Sequence, residues 1–234
     1  MEWLGRLSLK KLEKEIITCR ACPRLVEWRE DVAKVKRKSY QDQTYWGKPI
    51  PGFGSEKPKM LIVGLAPGAH GANRTGRVFT GDSSGDWLYG SLHRLGMSKI
   101  ETSESINDGQ KLNNVRIATA VRCAPPDNKP TTEERDCCAP FFARELELIS
   151  PTVRSFVALG SFAWAAIFKA LKEAGHPVKA PKFAHGESVK YRHNGNEYLI
   201  IASYHPSQQN TFTGKLTRPM LDSVLRKAGR FAQV

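Results

Sequence analysis

The chain contains no hydrophobic run long enough to cross a membrane. The longest stretch without a charged residue, 155–168, is too short for a bilayer and includes a glycine that separates a predicted strand from a predicted helix. The first residues, Met1 to Gly5, lead directly into a charged amphipathic pattern instead of the apolar core of a signal peptide. We therefore expect a cytoplasmic protein without a membrane partner.

Acidic residues are scarce relative to basic ones. The 234 residues include 36 Lys and Arg against 23 Asp and Glu, a formal net charge of +13. Such an excess favours a polyanionic partner, nucleic acid before membrane. The sequence also lacks internal repeats, low-complexity tracts and linkers, while its 40% apolar content suffices for a sizeable core. We predict one α/β domain over 1–234, with residues 1–55 as an N-terminal extension.

Cysteines are few, and five in an intracellular chain argue against structural disulfides. Cys19 and Cys22 form a C-x-x-C pair, while Cys123 and Cys138 each precede a proline by two residues. Four such thiolates suit zinc or an iron–sulfur cluster, and the long separation of the second pair favours the cluster. Spacing alone does not decide between Cys138 and Cys137. Unrelated buried thiols are the alternative.

Glycines, in contrast, are concentrated in one segment, GLAPGAHGANRTGRVFTGD (64–82). The segment follows an apolar run, 60–63, that predicts a buried parallel strand, and precedes a helical pattern that begins near Gly85. Ligands of open α/β sheets bind beyond the carboxyl ends of strands, so this loop is a candidate site. No Gly-Lys-Ser/Thr closes it, which excludes a P-loop. An ordinary glycine-rich connection is the alternative.

The rest of the chain alternates between strand and helix patterns. Asn194-Gly195 marks a hairpin within 188–203, and Glu134 follows Thr131 at the spacing of a capping box. The second arm of the hairpin leads to His205 at its carboxyl end, and 45–54 is predicted as a loop. Further strands are predicted at 113–121 and 153–159, and helices at 7–17, 24–38, 131–149, 161–172 and 216–231.

Four motifs, in the same order, resemble the iron–sulfur uracil-DNA glycosylases, and most closely family five, the type-B enzymes. They are the glycine-rich segment, the C-x-x-C at 19–22, VRCAPPDNKPT (121–131) and YHPSQQNTFTG (204–214). The match extends from Cys19 to about Leu225. It implies a parallel four-stranded sheet flanked by helices and a structural 4Fe–4S cluster that ties down the N-terminal segment. It also implies removal of deaminated bases from DNA.

The resemblance also implies roles for individual residues, because a glycosylase must flip a nucleotide out of the duplex and hold its base. Phe79 would stack on the base, and His205 would hydrogen-bond the charge that grows on the leaving base. Asp82 would orient or deprotonate the attacking water, with Asn128 as a second water ligand. The alternatives are a core residue for Phe79, a turn residue for His205 and a helix cap for Asp82.

Further residues are expected to contact the substrate. A side chain from 208–212 would fill the hole that the flipped base leaves, and basic residues in 24–38, 215–218 and 226–230 would meet phosphates. The expected substrate-binding residues are Gly64, Ala66, Gly68, His70, Asn73, Phe79, Gln208, Gln209 and Asn210.

Three positions depart from related families and predict a less polar base pocket. Ala66 stands where mainstream uracil glycosylases have an acid, and Leu65 and Thr119 replace polar residues of family four. A site without uracil-specific hydrogen bonds should also accept bases such as hypoxanthine. No lysine stands out as a Schiff-base nucleophile, so we expect a monofunctional glycosylase without lyase activity. We also expect a monomer that is associated with the nucleoid when it is bound to DNA. The alternative is a catalytically weak iron–sulfur DNA-binding protein on the same scaffold.

Overall fold

The computed structural model describes residues 8–234, and six strands in this range form one mixed sheet. The strands are β1 (Phe53–Gly54), β2 (Met60–Gly64), β3 (Val115–Thr119), β4 (Ser155–Leu159), β5 (Ser188–His193) and β6 (Asn196–Ser203), in the spatial order β1-β3-β2-β4-β6-β5. The four central strands are parallel, and β1 and β5 are antiparallel at the edges. The four expected parallel strands thus form the centre of a larger sheet, which the first arm of the predicted hairpin, β5, and the unpredicted strand β1 extend at its edges.

Eight α-helices surround or connect these strands within the described residues. They are α1 (Leu9–Ile17), α2 (Pro23–Val35), α3 (Ala72–Thr75), α4 (Ser83–Arg94), α5 (Thr132–Ile149), α6 (Ser161–Glu173), α7 (Gln208–Phe212) and α8 (Arg218–Ala232). The capping box is confirmed, since Thr131 and Glu134 satisfy each other's backbone N–H groups at the start of α5. The hairpin is confirmed too, with positive φ at both Asn194 and Gly195.

Three short elements lie in segments that the sequence predicted as loops. β1 has two residues, and α3 and α7 have four and five. Elements this short cannot display a hydrophobic period, so the sequence pattern does not reveal them. The edge strand β1 is formed because Phe53 and Gly54 pair with Ile117 and Arg116 of β3.

The central strands are buried on both faces, as parallel strands usually are. Met60 and Ile62 of β2 face one hydrophobic cluster, which includes residues of α4 and α8. Leu61 and Val63 face a second cluster, which includes residues of α1, α5 and α6. The sheet is therefore a middle layer between two groups of helices. Among residues 8–234, none of the helices combines the length and apolar character that spanning a bilayer requires.

The parallel strands bring four loops to one edge of the sheet. Gly64 at the end of β2 is in register with Thr119 at the end of β3, and Leu159 at the end of β4 is in register with Ser203 of β6. The glycine-rich loop, the proline-rich loop after β3, Gly160 and the His205 segment all begin at this edge. This is the position at which open α/β sheets bind ligands.

Candidate functional site

Phe79 has a strained backbone at the centre of this edge. Its φ of 50° is unusual for a bulky side chain, and such strain is concentrated at functional sites. A Cβ on Gly64 would lie 2.7 Å from the Phe79 ring, so glycine is required there to make room for the ring. The centroid of the ring is 5.9 Å from that of His205. Gly64 therefore acts on the site through Phe79, whereas the sequence placed it in contact with the base.

Arg77 braces the turn that carries Phe79. Its guanidinium donates to Thr80 Oγ1 at 2.9 Å, to Ser103 Oγ at 2.7 Å and to both carboxylate oxygens of Asp108 at 2.5 and 2.8 Å. Burial favours a raised pKa for Asp108, but the hydrogen bonds from Arg77 and from backbone N–H groups outweigh it and hold that pKa well below its usual range. The turn is thus held by a nearly buried charge-assisted network.

The two oxygens of the Asp82 carboxylate lie in different surroundings. Oδ1 accepts the N–H of Gly85 at 2.9 Å and caps α4, which is the alternative role suggested by the sequence. Oδ2 lies against the glycine turn, because a Cβ on Gly71 or Gly68 would approach it to 1.9 or 2.9 Å. Burial raises the pKa of Asp82 above its usual value. The cap therefore occupies one oxygen and leaves the other facing the turn.

His205 follows β6 and packs against the turn after β4. Its Cβ lies 3.5 Å from the position that a Cβ on Gly160 would occupy. Burial lowers the pKa of His205 to about 4, so its imidazole is neutral at neutral pH and carries one ring N–H to donate. The amide of Asn210 donates to the His205 carbonyl oxygen at 2.8 Å. Asn210 thus holds the backbone of His205, a role that the sequence did not indicate.

Asn128 lies on the exposed loop beyond β3, at the same edge of the sheet. It and Asp127 both have left-handed backbones, with φ of 56° and 54°. Asn and Asp tolerate this region better than other non-glycine residues, so the pair forms a tight turn at low cost. The Asn128 side chain is exposed, and the carbonyl of the next residue, Lys129, accepts from Arg24 at 3.1 Å, so this turn lies beside the start of α2.

Three other predicted pocket residues contact the N-terminal part of the chain. His70 Nδ1 is 3.1 Å from the hydroxyl of Tyr45, and the buried amide of Asn73 donates to the carbonyl of Arg29 at 3.1 Å. Ala66 packs against a small cluster that includes Leu25, Val121 and Cys123. These three residues therefore line the interface between the glycine-rich loop and the N-terminal helices.

The predicted insertion segment is the short helix α7, capped by Ser207. Gln208 and Gln209 are exposed, as expected of residues that meet DNA. The sequence singled out these two and Asn210, but Phe212 has the most exposed large apolar side chain described, at 80%. A fully displayed aromatic ring beside the site is the shape that a wedge requires.

Arg74 lies in the glycine-rich loop, and the sequence did not indicate that it braces this loop. Its guanidinium donates to the carbonyls of His70 and Gly81, both at 2.8 Å, and to Gln43 at 2.6 Å, and it stacks over Tyr40 at 4.0 Å. Arg74 therefore links the first part of the glycine-rich loop to its end. An arginine in a glycine-rich loop gives no sequence signal for this role, because it resembles a residue that binds phosphate.

The cysteines line one cavity between the N-terminal helices, the loop after β3 and α5. The residues on its walls are Cys19, Ala21, Cys22, Leu25, Val26, Pro49, Arg122, Cys123, Cys137 and Cys138. Among residues 8–234, no three His, Cys, Asp or Glu side chains converge as the ligands of a single metal ion do. A four-iron cluster has a different requirement, because each thiolate binds its own iron, and thiols on the walls of one cavity meet it.

The polar groups around this cavity fit an anionic cluster. Arg29 Nη1 donates to Cys123 Sγ at 2.9 Å, and the backbone N–H of Arg122 donates to Cys138 Sγ at 3.4 Å. No described residue satisfies the buried Arg29 Nε or the buried Nε and Nη1 of Arg122. Burial raises the pKa of Cys138 to about 11, so the metal-free Cys138 thiol is protonated at neutral pH. Cys138 is buried whereas Cys137 is exposed, which favours Cys138 as the ligand.

The sequence suggested that the basic residues of 24–38 contact phosphates, but two of them make other contacts. Arg24 pairs with Glu134 at 2.7 Å, and Arg29 is 2% exposed and turned towards the cysteines. Neither guanidinium is free to meet phosphates. The spacing of apolar residues along a helix predicts which face is buried. It does not predict that an arginine, Arg29, also lies on that buried face.

Comparisons with known proteins identify the family of this chain. Residues 51–229 match the family described as the uracil DNA glycosylase superfamily. The chain is 50% identical to a type-5 uracil-DNA glycosylase of Mycobacterium leprae, over 98% of this chain and 98% of that protein. It is 48% identical to the type-5 enzyme of Thermus thermophilus, over 93% and 95%. It is 29% identical to a type-4 uracil-DNA glycosylase of Archaeoglobus fulgidus, over 86% and 82%.

Proposed function

The chain belongs to the uracil DNA glycosylase superfamily, and we propose that it hydrolyses the N-glycosidic bond of uracil in DNA and so begins repair of the lesion. The observation that carries this proposal is the pairing of Phe79 with His205 at the carboxyl edge of the sheet, their ring centroids 5.9 Å apart. One ring offers a flat apolar surface, and the other offers a neutral hydrogen-bond donor. A flipped base needs both.

The chemistry requires stabilisation of opposite charges on the two sides of the bond that breaks. Negative charge grows on the base as it leaves, and the one ring N–H of the neutral His205 donates a hydrogen bond to it. Asp82 Oδ2 holds the attacking water and accepts its proton, while Oδ1 remains bound to the start of α4. Asn128 orients the same water through its exposed amide. The products are the free base and an abasic site, since the proposed machinery contains no lysine nucleophile.

The duplex is opened from the α7 side of the site. Phe212 enters the stack as the nucleotide leaves it, and the amides of Gln208 and Gln209 contact the strand. Exposed cations lie beside this helix, with Lys215 over the ring of Tyr204 and Arg218 over that of Trp87. These cations meet the phosphates on either side of the flipped nucleotide.

A 4Fe–4S cluster bound by Cys19, Cys22, Cys123 and Cys138 is part of the proposal. The cavity that these thiols share supports it, together with two buried guanidinium groups, those of Arg29 and Arg122, which keep N–H donors without a described partner, although Arg122 also pairs with Glu145. Bound by these four residues, a cluster would supply a structural cross-link between the segment before α2, the loop after β3 and α5. Of the residues that act on the substrate, only Asn128 shares a loop with a cluster cysteine, Cys123, and none of them is a proposed cluster ligand, so no catalytic step passes through the cluster.

We further propose that the pocket accepts other deaminated bases, including hypoxanthine. No described residue hydrogen-bonds Thr119 Oγ1, which is buried at the end of β3 beside Gly64 and Phe79. A hydroxyl can either donate or accept, so it does not select one base edge as an amide does. Ala66, turned towards Leu25, adds no polar group to the pocket.

The proposal is tested with labelled duplexes that carry one uracil, hypoxanthine or ethenocytosine, followed by alkaline strand scission. We expect scission at uracil and at hypoxanthine, and only after alkali, because the enzyme leaves an abasic site. The Asp82→Ala protein is the control for contaminating activity. Tight binding of the uracil duplex without cleavage would instead support the weakly catalytic DNA-binding protein. Scission at uracil alone would remove the proposed breadth of the pocket.

A further inference from the structure

Arg29, near the middle of α2, connects the two cysteine segments that the proposed cluster needs. Its side chain is 2% exposed, and its Nη1 and Nη2 donate to Cys123 Sγ at 2.9 Å and to the Cys19 carbonyl at 3.2 Å. Arginine is almost never fully buried unless it is paired. The side chain therefore belongs to the cysteine site and fixes this part of α2 against it.

The backbone of the same residue reaches the base pocket. Its carbonyl accepts the buried amide N–H of Asn73 at 3.1 Å. Asn73 in turn donates its backbone N–H to Gly68 O and accepts that of Gly47, both at 3.0 Å. Gly68 belongs to the turn that faces Asp82 Oδ2. One residue, Asn73, thus transmits the position of α2 to the turn beside the catalytic carboxylate.

Both side chains keep a buried polar atom without a partner. No residue in 8–234 hydrogen-bonds Arg29 Nε or Asn73 Oδ1. A buried unpaired polar atom destabilises the folded state, so such atoms are rare. A smaller apolar residue at position 73 would remove that cost, which indicates that the amide is needed for the bond that its Nδ2 makes to Arg29.

We propose that Asn73 is a positioning residue through which the cysteine site, acting by way of Arg29, holds the glycine-rich loop in the conformation that receives the base. This inference rests on the proposed function of both sites. The bond to Cys123 fixes Arg29, and the Asn73 bond fixes the Gly68 turn to Arg29; a cluster held by Cys123 would fix that cysteine and, with it, this series of bonds. Linkage is reciprocal, so DNA in the base pocket also stabilises the cluster.

Amide hydrogen exchange on the iron-loaded protein tests the first half of the link. Asn73→Ala removes the bond to α2, and Asn113→Ala is the matched control, since exposed Asn113 also donates its amide to a backbone carbonyl, that of Gly96. We expect exchange in peptides from 64–82 to accelerate about 5- to 10-fold in Asn73→Ala and not in Asn113→Ala, with equal iron content. Unchanged exchange in 64–82 would overturn the proposal.

Iron release to a chelator tests reciprocity and does not depend on cleavage. A saturating duplex with an abasic site should slow release from the wild-type protein and have little effect on Asn73→Ala. Equal protection of both proteins would overturn the link. Should Asn73→Ala fail to fold, Asn73→Asp keeps the volume and places an acceptor opposite the Arg29 carbonyl, and the same results are expected. Because exchange and iron are measured directly, a failed link is distinguishable from a failed glycosylase assignment.

Discussion

The pKa values of two site residues, Asp82 and His205, are shifted mainly by burial. Asp82 has a raised pKa and His205 a lowered one, and in both cases burial in the loops at the sheet edge is the largest cause. Burial disfavours the charged form of each group. The carboxylate is thereby made a better proton acceptor, and the imidazole a neutral donor, which is the pair of properties that hydrolysis of a glycosidic bond requires.

Replacement of Asp82 separates catalysis from helix capping. Asn caps a helix as well as Asp does, so Asp82→Asn should leave the melting temperature nearly unchanged while the single-turnover rate falls by about 10²–10⁴-fold. Asp82→Ala should lose both, with about 0.5–2 kcal/mol less stability from the missing cap. The two proteins are compared by calorimetry and single-turnover cleavage. A wild-type rate in Asp82→Asn would assign the residue to capping alone.

Replacement of His205 should affect rate and acid stability separately. His205→Gln should lower the single-turnover rate by about 10²–10³-fold, as removal of one oxyanion donor does. The folded pKa of about 4 lies below the unfolded value of about 6.5, so between these values the unfolded chain binds the extra proton. Wild-type stability should therefore fall as pH drops through that window.

Denaturant unfolding from pH 7 to pH 4 measures this effect in both proteins. The decline should be smaller in His205→Gln, which has no imidazole to protonate. Parallel decline of the two proteins would show that His205 is not buried in its neutral form.

At the scale of elements, two short helices carry side chains that brace the candidate site or are exposed beside it. α3 carries Asn73 and Arg74 within the glycine-rich loop, and α7 displays Phe212 next to the His205 segment. Each is anchored by side chain to backbone bonds, such as the bond from Asn210 to the His205 carbonyl. They are too short to be stable alone, so their geometry depends on these anchors.

The wedge role of α7 predicts a difference between substrates. Phe212→Ala should reduce cleavage of uracil in duplex DNA by about tenfold, because a stacked aromatic is worth 1–3 kcal/mol per base. Cleavage of single-stranded uracil DNA should change little, since no stack has to be filled. Ile106→Ala is the control, because Ile106 is another exposed apolar side chain, at 51%. Equal losses on the two substrates would argue against a wedge.

At the scale of the whole molecule, the cysteine cavity joins parts of the chain that are distant in sequence. Its walls come from the segment before α2, the loop after β3 and α5. A cross-link here constrains the N-terminal segment, which also packs α1 against α5 and adds β1 to the sheet. Loss of this cross-link should therefore destabilise α1 and β1 as well as the segments that carry the cysteines.

Substitution of adjacent cysteines tests the ligand set. Cys138→Ser should abolish the brown colour and the iron content of anaerobically purified protein and lower its melting temperature by several degrees. Cys137→Ser, the neighbouring control, should keep both, because Cys137 is exposed while Cys138 is buried. Visible absorbance, iron analysis and calorimetry give the readouts. Colourless wild-type protein with stoichiometric zinc would replace the cluster with zinc.

The long elements and the motifs were predictable from the sequence. Continuous apolar runs marked the central strands, Asn194-Gly195 marked the hairpin, and Thr131 with Glu134 marked the start of α5, because each depends on contacts between neighbours in the chain. The glycine-rich loop was found from its composition, and the resemblance of this loop and of the motifs around Cys19, Cys123 and His205 to a known family indicated the family, which is confirmed.

The tertiary structure alone decided what the motif residues contact. The sequence suggested that Arg29 contacts a phosphate, but its side chain is buried and donates to Cys123. Gly64, expected to contact the base, instead leaves room for the Phe79 ring. One carboxylate oxygen of Asp82 caps the helix α4, and the other lies against a glycine turn. These outcomes depend on the distance between segments far apart in the chain and on their burial, which set both pKa values and hydrogen-bond partners. A local pattern specifies the chemistry that a residue can perform, and packing selects which of those possibilities it does perform.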